Sequence, residues 1–159
     1  MGFKLQLYYT KSEQKNALLR GVQGFGAKTD DMVHLWIILC RSVLEQSCVV
    51  WGTSLTQENI ENLERTQKTF AKLVLKEKYK NYEDALILLN LDSLETRRKE
   101  MCIKFAKNGI KNGTLNDLFQ INEKNRENDN YKVTFANTDR LKNSSVITMQ
   151  NLLNEDAKC

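Results

Sequence analysis

Apolar residues recur at helical spacing along most of the chain, and an apolar stretch at Cys40–Trp51 carries two of the four cysteines. The "TDD" at Thr29–Asp31 suits a helix start, because threonine and aspartate cap first turns and acids favour the positive end of the helix dipole. The pattern predicts one buried helix through the end of this stretch. His34, Arg41 and Glu45 interrupt it, which favours a core helix over a membrane span of about 20 uncharged residues.

A second helix is predicted after "GTSLTQEN", with Thr56 as its cap and Glu58 in its first turn. Its apolar side is marked by residues three and four apart: Ile60, Leu63, Gln67, Phe70 and Val74. Basic residues recur at similar spacing on a different side: Arg65, Lys68, Lys72 and Lys76. The helix is therefore expected to be buried along one side and positively charged along another.

The amino-terminal part predicts little structure. Residues 1–12 are interpreted as an untethered start. An amphipathic helix is predicted over Ser12–Val22, with Ala17, Leu18 and Val22 on one side, and the glycines that follow should end it.

Further along, "YEDALILL" at Tyr82–Leu89 predicts a short helix. A longer helix is predicted after a turn, with Asp92 or Ser93 as its cap and Gly109 or Gly113 at its end. Its buried side is marked by three residues: Leu94, Met101 and Phe105.

The carboxyl-terminal part is more polar. Residues 120–130 are too polar to bury and predict a flexible linker. Tyr131, Val133 and Phe135 alternate with polar residues, a weak strand signal. A final short helix is predicted with four residues inward: Val146, Met149, Leu152 and Leu153.

Together these elements predict a mainly α fold, an irregular bundle of four to five helices with a flexible linker and a short C-terminal helix. The absence of proline and the presence of only seven glycines agree with helices joined by polar turns. Four parts are predicted: an N-terminal segment at residues 1–12, a helical domain at 13–119, a linker at 120–130 and a strand/helix tail at 131–159.

Charge is unevenly distributed. The net charge is only +4, but Arg65–Lys80 contains six basic residues and one acid, whereas residues 120–159 contain six of each. Positive potential is therefore concentrated in the middle of the chain. Further along, Arg97, Arg98 and Lys99 are followed by Lys104, Lys107 and Lys111. This run either binds phosphates through its guanidinium forks or forms a solvated helix face with nearby glutamates.

Candidate chemistry is sparse. The four cysteines form no Cys-x-x-Cys pair and His34 is the only histidine, so no zinc site is expected and buried free thiols are the preferred interpretation. His34 is interpreted as a packed core residue rather than a base. The Asp30–Asp31 pair could hold magnesium ions, but its glycine-rich flank and following helix favour a helix start. No catalytic set, metal or cofactor is predicted.

No targeting signal is recognised. The first ten residues lack the sustained apolar region of a signal peptide, and Gln6 occupies the position where a myristoylation signal requires serine or threonine. The chain is therefore expected in the nucleus or the cytoplasm, away from membranes.

Several short pieces occur in a familiar order: RSVLE at Arg41–Glu45 with Trp51 beyond it, LERTQK at Leu63–Lys68, the Tyr79–Leu86 segment and SLETRR at Ser93–Arg98. With "NTDRLKNSSVITMQNLLNE" near the end, they resemble the C-terminal thumb and downstream region of reverse transcriptases from non-LTR, LINE-type (jockey-like) retrotransposons. The resemblance covers about residues 14–157; the opening "MGFKLQLYY" does not fit it.

The resemblance implies a non-catalytic fragment, either a truncated or decayed element product or an independent gene derived from one. The family's Asp-Asp catalytic segment has no counterpart here, so the chain is not expected to be an enzyme alone. Template-primer binding is implied, and our own assignment of the contacts is Arg65, Lys68, Lys72, Lys76, Arg97 and Arg98. The missing polymerase palm or a second copy are further possible partners. The alternatives are a helical protein-interaction module and a remnant without function.

Overall fold

A computed structural model describes residues 2–122 and 131–157. In chain order its helices are α1 (Gly2–Gly24), α2 (Thr29–Trp36), α3 (Ser42–Glu45), α4 (Cys48–Trp51), α5 (Gln57–Leu75), α6 (Tyr82–Leu89), α7 (Leu94–Lys111), α8 (Asp139–Lys142) and α9 (Ser145–Asp156). Short 3-10 turns cover Gly52–Ser54 and Lys76–Lys78. These described ranges contain no β-strand, which confirms the mainly α fold.

The strand predicted around residues 131–135 is wrong. An isolated antiparallel bridge between Ile121 and Tyr131 is found there instead, next to a 2.8 Å hydrogen bond from the Lys132 N–H to the Gln120 carbonyl. One bridge is too short to form a ladder. Most of the predicted linker, residues 123–130, lies outside the described part of the chain.

The chain divides into two compact units, one formed by Met1–Gln46 with Thr56–Arg97 and the other by Ser47–Leu55 with Arg98–Cys159. The division falls inside α7, and therefore inside the helical domain predicted at 13–119. Residues 131–157 share a compact unit with most of α7.

The core of the first unit is built on Trp36 and Phe70. Both side chains are fully buried, and their rings stack with centroids 5.1 Å apart and planes at 21°. Phe70 belongs to α5, whose predicted start is confirmed because the Thr56 hydroxyl accepts the Asn59 N–H at 3.3 Å. Leu63 and Gln67 are buried on the same side, as the spacing predicted.

Helix α1 differs from its prediction in length and in orientation. It runs from Gly2, so the predicted helix start at Ser12 is wrong. From Tyr8 onward, the residues that α1 buries are Ser12, Asn16 and Leu19, whereas Leu18 is exposed. The Asn16 amide donates to the Thr66 carbonyl at 3.3 Å. Because this polar side chain has a partner, it can be buried where an apolar pattern would not place it.

The apolar stretch after Lys28 is helical but not continuous. α2 passes into a π-helical turn at Ile37–Arg41 and then into α3, and Ser47 breaks the run with φ 55°. The single helix predicted to Trp51 is therefore wrong after Glu45. Lys28 is the N-cap residue and makes no side-chain capping bond. His34 is exposed, not packed in the core.

No single helix in the described ranges is long and apolar enough to cross a bilayer. One bent pair, Thr29–Glu45 with Cys48–Ser54, reaches that length and composition, but only when both helices are taken together.

Cys40, Cys48 and Cys102 are buried free thiols, as the sequence predicted. Burial raises the pKa of Cys40 to about 11, so this thiol stays protonated at neutral pH. The Cys40 sulfur lies 3.6 Å from the Asn16 side-chain oxygen and 4.0 Å from the Ser12 carbonyl oxygen, and either oxygen can accept the thiol hydrogen.

Helix α6 has the predicted bounds, and the Asn81 side chain caps it by accepting the Asp84 N–H at 2.7 Å. Ser93 is the cap of α7 and accepts the Thr96 N–H at 3.1 Å. The buried side of α7 was predicted in part. Leu94 is buried, but Phe105 is 49% exposed. The buried positions further along α7 are four residues apart: Arg98, Cys102 and Ala106.

The second unit packs α7 residues against the C-terminal helix. Its core cluster is formed by Cys102, Ala106, Phe119, Met149 and Leu153. Met149 and Leu153 were predicted to face inward, and α9 has the predicted position. The Ser145 hydroxyl donates to the Val50 carbonyl at 2.9 Å, which ties the start of α9 to α4.

Candidate nucleic-acid interface

The candidate interface lies on the exposed side of α5. Arg65, Lys68 and Lys72 are all exposed, and residues three or four apart in a helix are neighbours on its surface. At 3.6 residues per turn, the three fall within an arc of about 60°. Lys76 follows directly after the last residue of the helix and is also exposed. We call Arg65, Lys68, Lys72 and Lys76 the basic row; α5 places the first three on one side, and Lys76 directly follows its last residue.

The charge pattern of α5 also follows the helix dipole. Glu58 lies in the first turn and Lys72 in the last, which places each charge at the helix end that stabilises it. Stabilisation of the helix by charges at its own ends therefore explains the positions of Glu58 and Lys72. It does not require the additional cations at Arg65 and Lys68, which lie further from the terminus.

Two tyrosine rings lie under the basic row. Lys68 Nζ is 4.9 Å from the centroid of Tyr82, and Lys72 Nζ is 5.4 Å from the centroid of Tyr79. Both distances are within the range of cation–π attraction, about 0.5–1 kcal/mol at exposed sites. The rings restrict where the two ammonium groups lie, so the cations are spaced along the surface rather than fully mobile.

The position of Tyr82 is fixed by Glu64. The tyrosine hydroxyl donates to Glu64 Oε2 at 2.5 Å, and Glu64 Oε1 accepts the Glu95 N–H at 2.8 Å. Burial, followed by this hydrogen bond and the carboxylate charge, raises the pKa of Tyr82 well above its usual value near 10. Tyr82 is therefore a neutral donor under all ordinary conditions.

Sequence reasoning did not assign the tyrosines to the interface. Tyr79 and Tyr82 stand in the Tyr79–Leu86 segment that contributed to the family resemblance, so a signal was present. The geometric information was missing, because contact with Lys72 and Lys68 requires the chain to turn back after α5. Lys78 and Lys80 flank Tyr79 and are exposed, which adds positive charge beside the row.

Arg97 and Arg98 occupy different surroundings. Arg97 donates to both Glu45 oxygens, from Nε at 2.5 Å and from Nη2 at 3.3 Å. Arg98 belongs to the second unit and is only 6% exposed. The structure does not place these two predicted site residues in an exposed row.

A metal site and a small-molecule site have little support among the described residues. Among residues 2–122 and 131–157, no group of three His, Cys, Asp or Glu side chains could hold a metal ion. The second unit has an open cleft of about 210 Å³. Six residues line it: Asp117, Leu118, Gln120, Lys132, Thr134 and Gln150. Both ends of the Gln150 amide are bonded, to the Leu118 carbonyl and to Thr134, so this amide is not available to a ligand.

Comparison with protein-family models, with curated proteins and with solved structures found no match to this chain. The resemblance to retrotransposon reverse transcriptases therefore rests on the short sequence pieces alone.

Proposed function

We propose that this chain is a non-catalytic fragment of a retrotransposon reverse transcriptase that supports binding of the template-primer through its nucleic-acid backbone. The observation that supports the proposal most directly is the basic row, four exposed cations of which two are held over tyrosine rings. The order of the sequence pieces supplies the family and implies that the chemistry resides in another part of the parent polymerase.

The physical basis is electrostatic. Cations that neutralise backbone phosphates release condensed counterions, so binding weakens steeply as salt increases and depends little on base sequence. Residues three or four apart in a helix have Cβ atoms about 5–6 Å apart, so their long cationic side chains can reach neighbouring phosphates of one strand. The proposal assigns these contacts to the basic row and gives no direct contact to Arg97 or Arg98.

The test is binding of a fluorescent RNA–DNA primer-template at about 50 and 200 mM salt. One variant replaces the whole basic row with glutamine (R65Q/K68Q/K72Q/K76Q). A matched control replaces one arginine and three lysines that are exposed elsewhere (K11Q/R20Q/K28Q/K104Q). Both variants carry four fewer positive charges, so only the position of the charges differs.

The proposal expects the wild type to bind and its affinity to fall steeply with salt. The basic-row variant should bind at least tenfold more weakly. Its slope of log affinity against log salt should be shallower by about 0.9 for each duplex phosphate that the variant no longer neutralises. The control variant should retain most of the binding. Equal weakening in the two variants would show that only net charge matters, and absence of wild-type binding would overturn the proposal.

A helical protein-interaction module remains a second candidate because apolar side chains are exposed. In the first unit Ile87 is 78% exposed and its neighbour Leu88 61%, both on α6. Val50, in the apolar stretch, is 66% exposed. Exposed apolar patches favour association. Oligomers on size-exclusion chromatography, together with no binding to the primer-template, would favour this candidate.

A further inference from the structure

The tripeptide Lys-Asn-Gly occurs twice near the end of α7, at residues 107–109 and 111–113. Both asparagines are exposed. Asn108 lies in the last turn of α7, whereas Asn112 follows the last residue of the helix. Because the local sequence is the same, a difference in reactivity between the two asparagines must come from the structure around them.

An asparagine followed by glycine can react without an enzyme. The glycine nitrogen attacks the side-chain carbonyl carbon, a C–N bond forms, and the side-chain amide leaves as ammonia, taking up the proton of the glycine N–H. Water then opens the five-membered imide at one of its two carbonyls and gives aspartate or isoaspartate. Glycine favours the attack because it has no side chain to crowd the nitrogen and its backbone is the least restricted.

The ring closes only after the backbone has left the helical conformation. In an α-helix the N–H that follows the asparagine is bonded to a carbonyl of the preceding turn, and it is directed along the helix axis. The nitrogen can approach the side-chain carbon only when this bond is broken and the asparagine has rotated out of the helical region. The reaction rate in the folded chain therefore depends on the free energy of local opening.

Local opening at Asn108 is opposed by the chain after α7, which folds back over Gly109. The Gly109 carbonyl accepts the Leu115 N–H and the Thr114 hydroxyl, both at 3.2 Å. A Cβ atom at Gly109 would lie 2.2 Å from Leu115 Cδ1, and Leu115 is itself packed against the core cluster of the second unit. To open the backbone here, these two hydrogen bonds and the Leu115 contact must be broken as well.

Local opening at Asn112 meets less resistance. Gly113 is exposed, has φ 74°, and donates its N–H to the Ile110 carbonyl at 3.0 Å. A Cβ atom there would come no closer than 3.8 Å to Asn116 Nδ2, the nearest atom beyond the adjacent residues. Helix ends fray at a small cost in free energy, so the Gly113 nitrogen is released without displacement of a packed side chain.

We propose that Asn112 is a site of spontaneous deamidation and that the fold protects Asn108 from the same reaction. Either product places a carboxylate at the C-terminal end of α7, where the helix dipole disfavours negative charge. The site lies in the second unit and does not rest on the proposed function.

The test is prolonged incubation of the folded chain near neutral pH, followed by tryptic digestion and tandem mass spectrometry. Cleavage after Lys107 and after Lys111 places the two asparagines in separate peptides. Deamidation raises the mass of a peptide by about 1 Da. Asn112→Gln is the control that assigns the mass increase to this position rather than to Asn116, because glutamine forms its larger ring much more slowly.

Asn112 should deamidate at least tenfold faster than Asn108 in the folded chain, since the bonds and the Leu115 contact around Gly109 must also open at Asn108. In concentrated urea the two rates should agree within about twofold, because the unfolded chain retains only the shared tripeptide. Equal rates in the folded chain, faster reaction at Asn108, or reaction at Asn112 only in urea would overturn the proposal. A tenfold difference that persists in urea would overturn it too, because the difference would then come from the sequence and not from the fold.

Discussion

The hydroxyl of Tyr82 donates to Glu64 across 2.5 Å, and the same tyrosine ring lies under the Lys68 ammonium. The other Glu64 oxygen accepts the Glu95 N–H. One buried carboxylate therefore connects α5, α6 and the first turn of α7, and at the same time fixes the ring beneath a residue of the basic row. Stability of the first unit and the geometry of the candidate interface depend on the same contact.

The first prediction concerns pH. Burial, followed by the hydrogen bond to Glu64, raises the pKa of Tyr82 in the folded state. A raised folded pKa contributes stability that is fully present below the unfolded pKa of about 10 and diminishes as pH rises above it, by up to about 1.4 kcal/mol per pH unit. The unfolding free energy of the wild type should therefore fall more steeply above about pH 10 than that of Tyr82→Phe, measured by urea unfolding.

Other groups also titrate in this pH range, so the difference between the two proteins at each pH is the relevant quantity. Tyr82→Phe should be less stable than wild type near neutral pH, because it cannot form the bond to Glu64, and the two curves should converge as pH increases. Parallel curves would contradict the assignment of the alkaline destabilisation to Tyr82.

The second prediction concerns Lys76, whose backbone has φ 50° and ψ −118°. A side chain is strained in this region by about 1–3 kcal/mol, and glycine adopts it readily. Lys76→Gly should raise the unfolding free energy by about 1 kcal/mol, since the flexibility glycine adds to the unfolded chain offsets part of the relief. The same variant should weaken primer-template binding if Lys76 contacts a phosphate.

Lys78→Gly is the control for this prediction. Lys78 is exposed in the same 3-10 turn, but its backbone does not have positive φ, so glycine should destabilise the chain there. A Lys76→Gly variant that is less stable than wild type would show that the turn is not strained.

The parts of the fold that were predicted correctly are those determined by local sequence signals. The start of α5 and the bounds of α6 agree with the structure because capping residues and three-to-four spacing act over one or two turns. The buried side of α1 was mispredicted because Asn16 is buried through a hydrogen bond to Thr66, fifty residues away. The break at Ser47 was missed because a serine in the left-handed region gives no signal that distinguishes it from a helical serine.

The same limit applies to the candidate site. The row on α5 follows directly from the spacing of Arg65, Lys68 and Lys72, and no tertiary information is needed to place them together. The Arg97 guanidinium donates to the carboxylate of Glu45, which lies fifty-two residues earlier in the chain. Spacing within α7 gives no information about that partner, so an arginine bound to a carboxylate could not be distinguished from one available to phosphate.

The third prediction compares two helical glycines. A Cβ atom at Gly109 in α7 would lie 2.2 Å from Leu115 Cδ1 and 2.6 Å from its Cγ, whereas at Gly21 in α1 it would meet nothing within 4 Å. Gly109→Ala should therefore destabilise the chain by about 1–3 kcal/mol, despite the higher helix propensity of alanine. Gly21→Ala should stabilise it by about 0.5–1 kcal/mol.

Urea unfolding of both variants measures this difference, and the pair controls for propensity because both positions are helical. Stabilisation by both substitutions would mean that Leu115 moves away at little cost. Such a result would show that the turn after α7 is loosely packed against the helix.

The final prediction concerns the extended segment at residues 131–135, whose backbone is bonded to side chains of α9. Asn154 accepts the Tyr131 N–H at 2.6 Å and donates to the Tyr131 carbonyl at 2.9 Å. One turn earlier, Gln150 accepts the Thr134 N–H at 2.9 Å. The two amides bond to main-chain atoms three residues apart, much as a neighbouring strand would, although in the described residues the segment has no strand partner beyond one bridge.

Asn154→Ala should therefore release Tyr131 without unfolding α9. Removal of two hydrogen bonds worth about 0.5–1.5 kcal/mol each predicts roughly 5- to 150-fold faster exchange of the Tyr131 amide, measured by hydrogen–deuterium exchange NMR. The Thr134 amide should change less, because Gln150 still holds it. Asn151→Ala is the matched control, since Asn151 is exposed on the same helix and should leave both amides unchanged. Exchange of Tyr131 at the wild-type rate in Asn154→Ala would mean that apolar packing of its ring against Phe119, at 6.3 Å between centroids, holds this segment instead.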